Sequence, residues 1–133
     1  MDKLTTKWFR RWARKNDLSN SKLKEALVNL EKGLSAADLG KNLYKVRVKR
    51  EGQGKSSGYR TIVMYREKKR AIFLYGFAKN EKDNMTGREL SCFQKLGSDL
   101  LKLSQSQIEK AIKDKVLFDL EDANEKGNAR SNR

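Results

Sequence analysis

The chain has no histidine and a single cysteine, Cys92, among its 133 residues. The absence of histidine excludes an imidazole general base, a Ser–His or Cys–His nucleophile, and every metal site that needs imidazole ligands. One cysteine allows neither an internal disulfide nor a thiolate metal site, which is typical of proteins in a reducing cytoplasm. If the protein is an enzyme, lysine, arginine, tyrosine and carboxylate side chains must carry the chemistry, so neither a metal nor another cofactor is expected.

Long apolar runs are missing as well. No stretch of about 18 apolar residues exists, so neither a membrane span nor a membrane partner is expected. The first residues, Met1–Leu4, lack the apolar core of a signal peptide. We therefore expect a cytoplasmic protein.

Basic residues are abundant and unevenly distributed. The chain has 31 Lys and Arg against 17 Asp and Glu, a formal net charge of +14. Residues 41–90 hold 14 basic and 5 acidic side chains, and residues 1–16 hold 6 basic and 1 acidic. A basic surface confined to part of a small protein indicates nucleic-acid binding. The alternative is a surface that is merely highly charged and soluble.

The apolar pattern predicts an α+β fold with two N-terminal helices, an antiparallel sheet of three or more strands, and C-terminal helices. The first predicted elements are helix 5–15, helix 20–32, a connection at 34–42, and strands at 43–50, 58–66 and 70–78. Capping boxes at Thr86–Glu89 and Ser104–Gln107 open two further helices, and Val116–Phe118 is a candidate final strand. Residues 1–123 are expected to form one domain, and the polar residues 124–133 a disordered tail.

The first helix carries Trp8, Phe9 and Trp12 at the spacing of one helix face. An apolar stripe at helical spacing is typical of a core. Stacking of these rings on nucleobases is the alternative.

The segment Lys45–Lys79 concentrates the residues that point to chemistry. Lys45, Arg47 and Lys49 alternate along a strand and therefore share one face, since strand side chains point to opposite faces with a period of two. Cations crowded on one face repel each other unless an anion binds there. The following Gly52–Ser56 looks like the end of a phosphate-binding P-loop. That motif needs a glycine where Lys49 stands and a helix after it, so an NTPase is not expected.

Several segments together resemble the RelE-like toxins of bacterial toxin–antitoxin pairs, most closely the longer HigB-like branch. These segments are Ala37–Gly40, Lys45–Arg47, Arg50–Ser56, Gly58–Arg60, Leu74–Lys79 and Asn84. The resemblance covers roughly residues 5–120. It implies a small α+β toxin that cleaves mRNA, usually on the translating ribosome, until a cognate antitoxin blocks it. We expect that antitoxin to be acidic and to contain a helix.

The resemblance also implies a reaction and its residues. In such toxins the RNA 2′-hydroxyl attacks the neighbouring phosphate in line, and the enzyme aligns the backbone and stabilises the charge of the transition state. The implied charge-stabilising arginine is Arg60. The other implied catalytic residues are Lys45, which could act as base, Arg47 and Lys79. The predicted substrate-binding residues are Lys49, Arg50, Lys55 and Lys82.

One catalytic role is unassigned, and three alternatives stay open at this point. Residues 80–90 contain neither tyrosine nor histidine, so no general acid is assigned. Arg60 could form a structural ion pair with Glu81, Asp83 or Glu89. The protein could also be a non-catalytic RNA- or DNA-binding module, or a degenerate toxin kept only as the partner of its antitoxin.

Overall fold

The computed structural model describes residues 1–49, 58–79 and 85–121, and it confirms the predicted α+β fold. The elements in chain order are β1 (Asp2–Thr6), α1 (Lys7–Lys15), α2 (Asn20–Glu31), β2 (Ala36–Asp38), β3 (Leu43–Val48), β4 (Tyr59–Arg66), β5 (Arg70–Ala78), α3 (Gly87–Leu101), α4 (Gln105–Lys113) and β6 (Leu117–Asp119).

The described strands form one sheet in the order β2-β3-β4-β5-β1-β6. The predicted antiparallel arrangement of β3, β4 and β5 is confirmed, with Leu43 opposite Met64 and Arg66 opposite Arg70. Strand β1 adds a parallel pairing to β5, with Leu4 beside Ile72, and β6 closes the far side antiparallel to β1. The sheet is therefore mixed but mostly antiparallel.

Helices cover both faces of the sheet. Phe9 of α1 and Leu23 and Leu27 of α2 pack with Val46 and Phe73 in one apolar core. A second core lies on the other face and combines α3, α4 and the sheet. Its fully buried members include Leu43, Ile62, Met64, Ile72 and Ile108. Two covered faces explain why β4 and β5 are apolar at nearly every position.

Side-chain caps fix the starts of the helices. The Ser19 hydroxyl accepts a hydrogen bond from the Lys22 N–H at 3.2 Å and begins α2. Both predicted capping boxes are confirmed: Thr86 with Glu89 begins α3, and Ser104 with Gln107 begins α4. Each box satisfies two backbone N–H groups that the first helical turn leaves free.

The chain start differs from the prediction of a helix over 5–15. Residues Asp2–Thr6 form a strand, and the helix begins only at Lys7. Leu4 and Thr5 are buried because β1 lies between β5 and β6 in the sheet. Pairing with residues about seventy positions away leaves no local periodic signal, so the sequence pattern could not show this strand.

The predicted connection at 34–42 also contains a strand. Ala36–Asp38 pairs antiparallel with β3, although alanine and aspartate favour strands weakly. The first basic strand ends at Val48 rather than at position 50. Residue 50, the predicted turn 51–57 and the predicted tail 124–133 lie outside the described residues.

The three aromatic residues of α1 differ in burial. Phe9 is fully buried, as predicted for a core residue. Trp12 is half-buried and lies over Gly76, where a methyl group would overlap its ring. The core interpretation is wrong for Trp8, which is 48% exposed and stacks on Tyr75 with ring centroids 4.8 Å apart.

A buried arginine connects the first strand of the chain to the end of α3. Arg70, at the start of β5, is 2% exposed. Its Nη1 atom donates to the carbonyl oxygens of Leu100 at 3.0 Å and Leu103 at 2.8 Å, at the end of α3. Its Nε atom lies 3.4 Å from an Asp2 carboxylate oxygen. The arginine thereby satisfies helix-end carbonyls and links α3 to β1.

Candidate functional site

The sheet face that is apolar under α3 becomes basic toward the other end of β3 and β4. Leu43 and Ile62 are buried in the core with α3, whereas Lys45 and Arg60 are only half-buried and Arg47 is exposed. Strand alternation places these five side chains on one face. The register sets Lys45 beside Ile62 and Arg47 beside Arg60. Three predicted catalytic residues therefore lie together on adjacent strands.

A surface depression of about 340 Å³ lies over these cations and is lined by Ser35, Ala36, Ala37, Lys45, Arg47 and Arg60. We call it the Arg60 depression. Its far wall is the edge strand β2, in which Ala37 is paired with Lys45. The small side chains of β2 leave the space above the basic row open. Sequence reasoning missed the contribution of β2 because the strand itself was not foreseen.

Arg60 is a partly buried cation of this site. Its Nη1 atom is buried and has no hydrogen-bond partner in the described part of the chain. Burial, and then the charge of Arg47, lower the pKa of Arg60 from its usual value. An arginine stays protonated under these conditions, so the lowered pKa means that its charge is destabilised where it stands. An anion in the Arg60 depression would supply the countercharge that the described residues do not provide.

The structural ion pair considered for Arg60 is not formed with Glu89. The Glu89 carboxylate instead accepts a hydrogen bond from the Thr86 N–H at 2.9 Å in the capping box of α3. Glu81 and Asp83, the other two candidates, lie outside the described residues. Among residues 1–49, 58–79 and 85–121, no carboxylate forms an ion pair with Arg60 or Arg47.

The remaining predicted site residues lie either away from the Arg60 depression or outside the described residues. Lys79 is exposed and directly follows β5, with its N–H donating to the Gly58 carbonyl at 3.3 Å, and it does not line the Arg60 depression. Lys49 is exposed one residue after β3. Arg50, Lys55 and Lys82 lie outside the described residues.

The tyrosines divide between the two faces of the sheet. Tyr59 donates to the Asn16 side-chain oxygen at 3.1 Å and, like Tyr65, belongs to the core under α1 and α2. Burial raises the pKa of Tyr65 above 10.0, which disfavours its ionisation. Tyr75 lies on the Arg60 face but is stacked between Trp8 and Phe93, with the Phe93 centroid 5.0 Å away. None of these three lines the Arg60 depression.

A second depression adjoins the first and was not foreseen from the sequence. It has a volume of about 280 Å³ and lies between α2 and the end of β3. Its lining residues are Lys22, Glu25, Ala26, Asn29, Ser35, Arg47, Val48 and Lys49. Ser35 and Arg47 line both depressions, so the two are continuous. We call this one the α2 depression.

The described residues offer neither a metal-binding cluster nor a membrane-spanning helix. Within the ranges that the structure describes, no three Cys, Asp or Glu side chains come together as ligands for a metal ion. In the same ranges, no helix combines the length and the apolar character needed to cross a membrane.

One comparison with known proteins gives a match. The family model of the RelE toxin of the RelE/RelB toxin–antitoxin system matches residues 1–120. No curated protein matches the chain significantly. The matched range includes both depressions and every described element.

Proposed function

The chain belongs to the RelE toxin family of toxin–antitoxin systems, and from this membership we propose that it is a metal-independent endoribonuclease that cleaves mRNA on the translating ribosome, in the cytoplasm. The family implies a cognate antitoxin as partner. The observation that supports the nuclease activity best is Arg60 opposite Arg47, with a buried Nη1 atom that has no hydrogen-bond partner in the described part of the chain. The closer assignment to the HigB-like branch stays a prediction.

In this proposal the scissile phosphate occupies the Arg60 depression. The 2′-hydroxyl oxygen forms a bond to phosphorus, and the bond from phosphorus to the 5′ oxygen breaks. The products are a 2′,3′-cyclic phosphate and a free 5′-hydroxyl. Arg60 and Arg47 donate hydrogen bonds to the phosphate oxygens, on which negative charge increases in the transition state. A donor already buried before the substrate arrives needs little reorganisation, which favours the transition state over the ground state.

Proton transfer completes the proposed reaction. Lys45 lies two residues from Arg47 on the same face and is the proposed acceptor of the 2′-hydroxyl proton. The leaving 5′ oxygen takes a proton from water, which reaches the site because Arg47 is exposed. Lys79, at the end of β5, is proposed to add positive charge near the substrate. The proposed phosphate contacts outside the Arg60 depression are made by Lys49, Arg50, Lys55 and Lys82.

The test uses purified protein with mRNA, both free and on programmed ribosomes. We expect fragments that end in a cyclic phosphate and begin with a 5′-hydroxyl. On free RNA, cleavage should continue in excess chelator, because no step uses a metal ion. Loss of cleavage in chelator that magnesium restores on free RNA would contradict the mechanism. RNA binding without cleavage on either substrate would favour a degenerate toxin or a non-catalytic RNA-binding module.

A further inference from the structure

The α2 depression continues the proposed active site along the sheet edge. Lys45 lines the Arg60 depression, Arg47 lines both depressions, and Lys49 lines the α2 depression. Successive members of this row are two strand residues apart, which is about 6.6–6.8 Å. A row of regularly spaced cations that crosses both depressions suits a polynucleotide backbone better than a single small anion.

The α2 wall of this depression carries one cation, Lys22, together with an acidic and an amide side chain. Glu25 and Asn29 are one helical turn apart on α2, and both line the depression. Among the described residues, neither side chain has a hydrogen-bond or ion-pair partner. A carboxylate at this position repels phosphate. The wall therefore favours an uncharged ligand part that donates hydrogen bonds.

We propose that the α2 depression is a nucleotide subsite that binds the RNA residue next to the scissile phosphate and selects its base through Glu25 and Asn29. The inference rests on the proposed function, because it takes the substrate to be single-stranded RNA in the Arg60 depression. The α2 depression has a volume of about 280 Å³. This is close to the lower end of the range for ligand sites, roughly 300–1,000 Å³, and it suits one nucleotide.

The chemistry of the two side chains defines the preference. An ionised glutamate only accepts hydrogen bonds, whereas the asparagine amide both donates and accepts. Adenine, cytosine and guanine carry an exocyclic amino group, from which the Glu25 carboxylate can accept a hydrogen bond. Uracil has no amino group, and its single base-pairing donor, N3–H, lies between two carbonyl oxygens that repel the carboxylate. The subsite should therefore prefer a base with an amino group over uracil.

A peptide segment is the less suitable occupant. Among the described residues, three cations and one carboxylate line the α2 depression, and the apolar residues that line it are Ala26 and Val48. Peptide-binding grooves depend on apolar pockets or on a run of unpaired strand edge. The continuity with the Arg60 depression through Ser35 and Arg47 also links the occupant to the RNA strand.

The test measures binding without cleavage. The probes are fluorescent hexauridylates with 2′-O-methyl riboses, which cannot react, and matched probes with one A, C or G at a central position. For the wild-type protein we expect the amino-bearing probes to bind on the order of tenfold more tightly than the all-uridine probe. Glu25→Gln and Asn29→Ala should each bring this ratio toward one. Glu31→Gln and Val28→Ala, exposed positions on the same helix that do not line the depression, should keep the wild-type ratio.

The outcomes separate the subsite from the proposed function. A wild-type ratio near one, or an unchanged ratio in both Glu25→Gln and Asn29→Ala, overturns the subsite even if the protein cleaves mRNA. Failure to bind any of the probes overturns the subsite too, and if mRNA is then neither bound nor cleaved, the proposed function fails as well. Thermal melts of all four variants establish that each is folded, and a variant that does not fold is replaced by Glu25→Ala or Asn29→Ser.

Discussion

Arg47 and Arg60 lie directly opposite each other on β3 and β4, so two guanidinium groups occupy neighbouring positions on one face of the sheet. Like charges in this cross-strand geometry destabilise a sheet. The Arg60 Nη1 atom is also buried without a hydrogen-bond partner among the described residues. The pair therefore lowers the stability of the folded protein, and a bound phosphate would restore that stability.

Replacement of Arg60 should separate stability from activity. Arg60→Met keeps the apolar volume, removes the repulsion from Arg47 and removes the unsatisfied donor, so we expect an unchanged or higher Tm. Single-turnover cleavage at saturating RNA should fall by about 10² to 10³ or more, as for the loss of a preorganised donor. Lys113→Ala, an exposed change on α4, is the control. A variant that melts early, or that cleaves at the wild-type rate, would show that Arg60 has a structural role instead.

Replacement of the other cations on β3 and directly after it should affect either catalysis or RNA binding, depending on their position. Lys45→Ala and Arg47→Ala should reduce the single-turnover rate at saturation, because both residues line the Arg60 depression. Lys49→Ala should weaken RNA binding and leave cleavage at saturation close to wild type. Its plot of log K against log salt should be shallower by about 0.7, the value for one phosphate contact to a single strand. An unchanged salt slope would place Lys49 off the RNA path.

Association with the antitoxin should depend strongly on salt. A partner that is acidic and contains a helix would complement the net charge of +14 and would be steered to the basic face. Stopped-flow association with the product of the neighbouring gene should slow by about tenfold or more from low to high salt. Lys49→Glu should slow association more than Lys113→Glu does. Rates that do not change with ionic strength would contradict an acidic partner at this face.

Removal of Arg70 should be among the most destabilising single changes. Arg70→Ala leaves the Leu100 and Leu103 carbonyls and the Asp2 carboxylate without their buried cation. Loss of one partner from a buried charged network costs about 3–5 kcal/mol. Asp2→Asn should cost much less, because Asp2 is 23% exposed and water can replace part of the interaction. Urea unfolding of both variants measures the difference, and equal costs would show that the helix-end contacts contribute little.

The two tryptophans of α1 should also behave differently. Trp12→Ala removes a half-buried ring from the surface over Gly76, and we expect a loss of about 2–3 kcal/mol in the free energy of unfolding. Trp8→Ala should cost less than Trp12→Ala, since nearly half of Trp8 is already exposed. Thermal melts compare the two variants, and a larger loss for Trp8→Ala would show that its stacking on Tyr75 is structural.

The sequence by itself determined the elements that carry local signals. Periodic apolar residues and side-chain caps are properties of contiguous segments, so α2, α3, α4 and the strands β3, β4 and β5 could be predicted from them. Strand alternation likewise showed that Lys45 and Arg47 share a face. The absence of histidine and the clustered positive charge limited the chemistry to phosphate binding without imidazole.

The tertiary structure alone decided how distant segments meet. Strands β1 and β2 are short and depend on partners elsewhere in the sheet, so their own sequences did not predict them. The register of β3 against β4 set Arg47 opposite Arg60 and left the Arg60 Nη1 atom buried without a partner in the described chain. The start of β2 and the path of α2 placed Ser35, Glu25 and Asn29 around a depression. Such a site depends on long-range pairing, which a local sequence pattern does not encode.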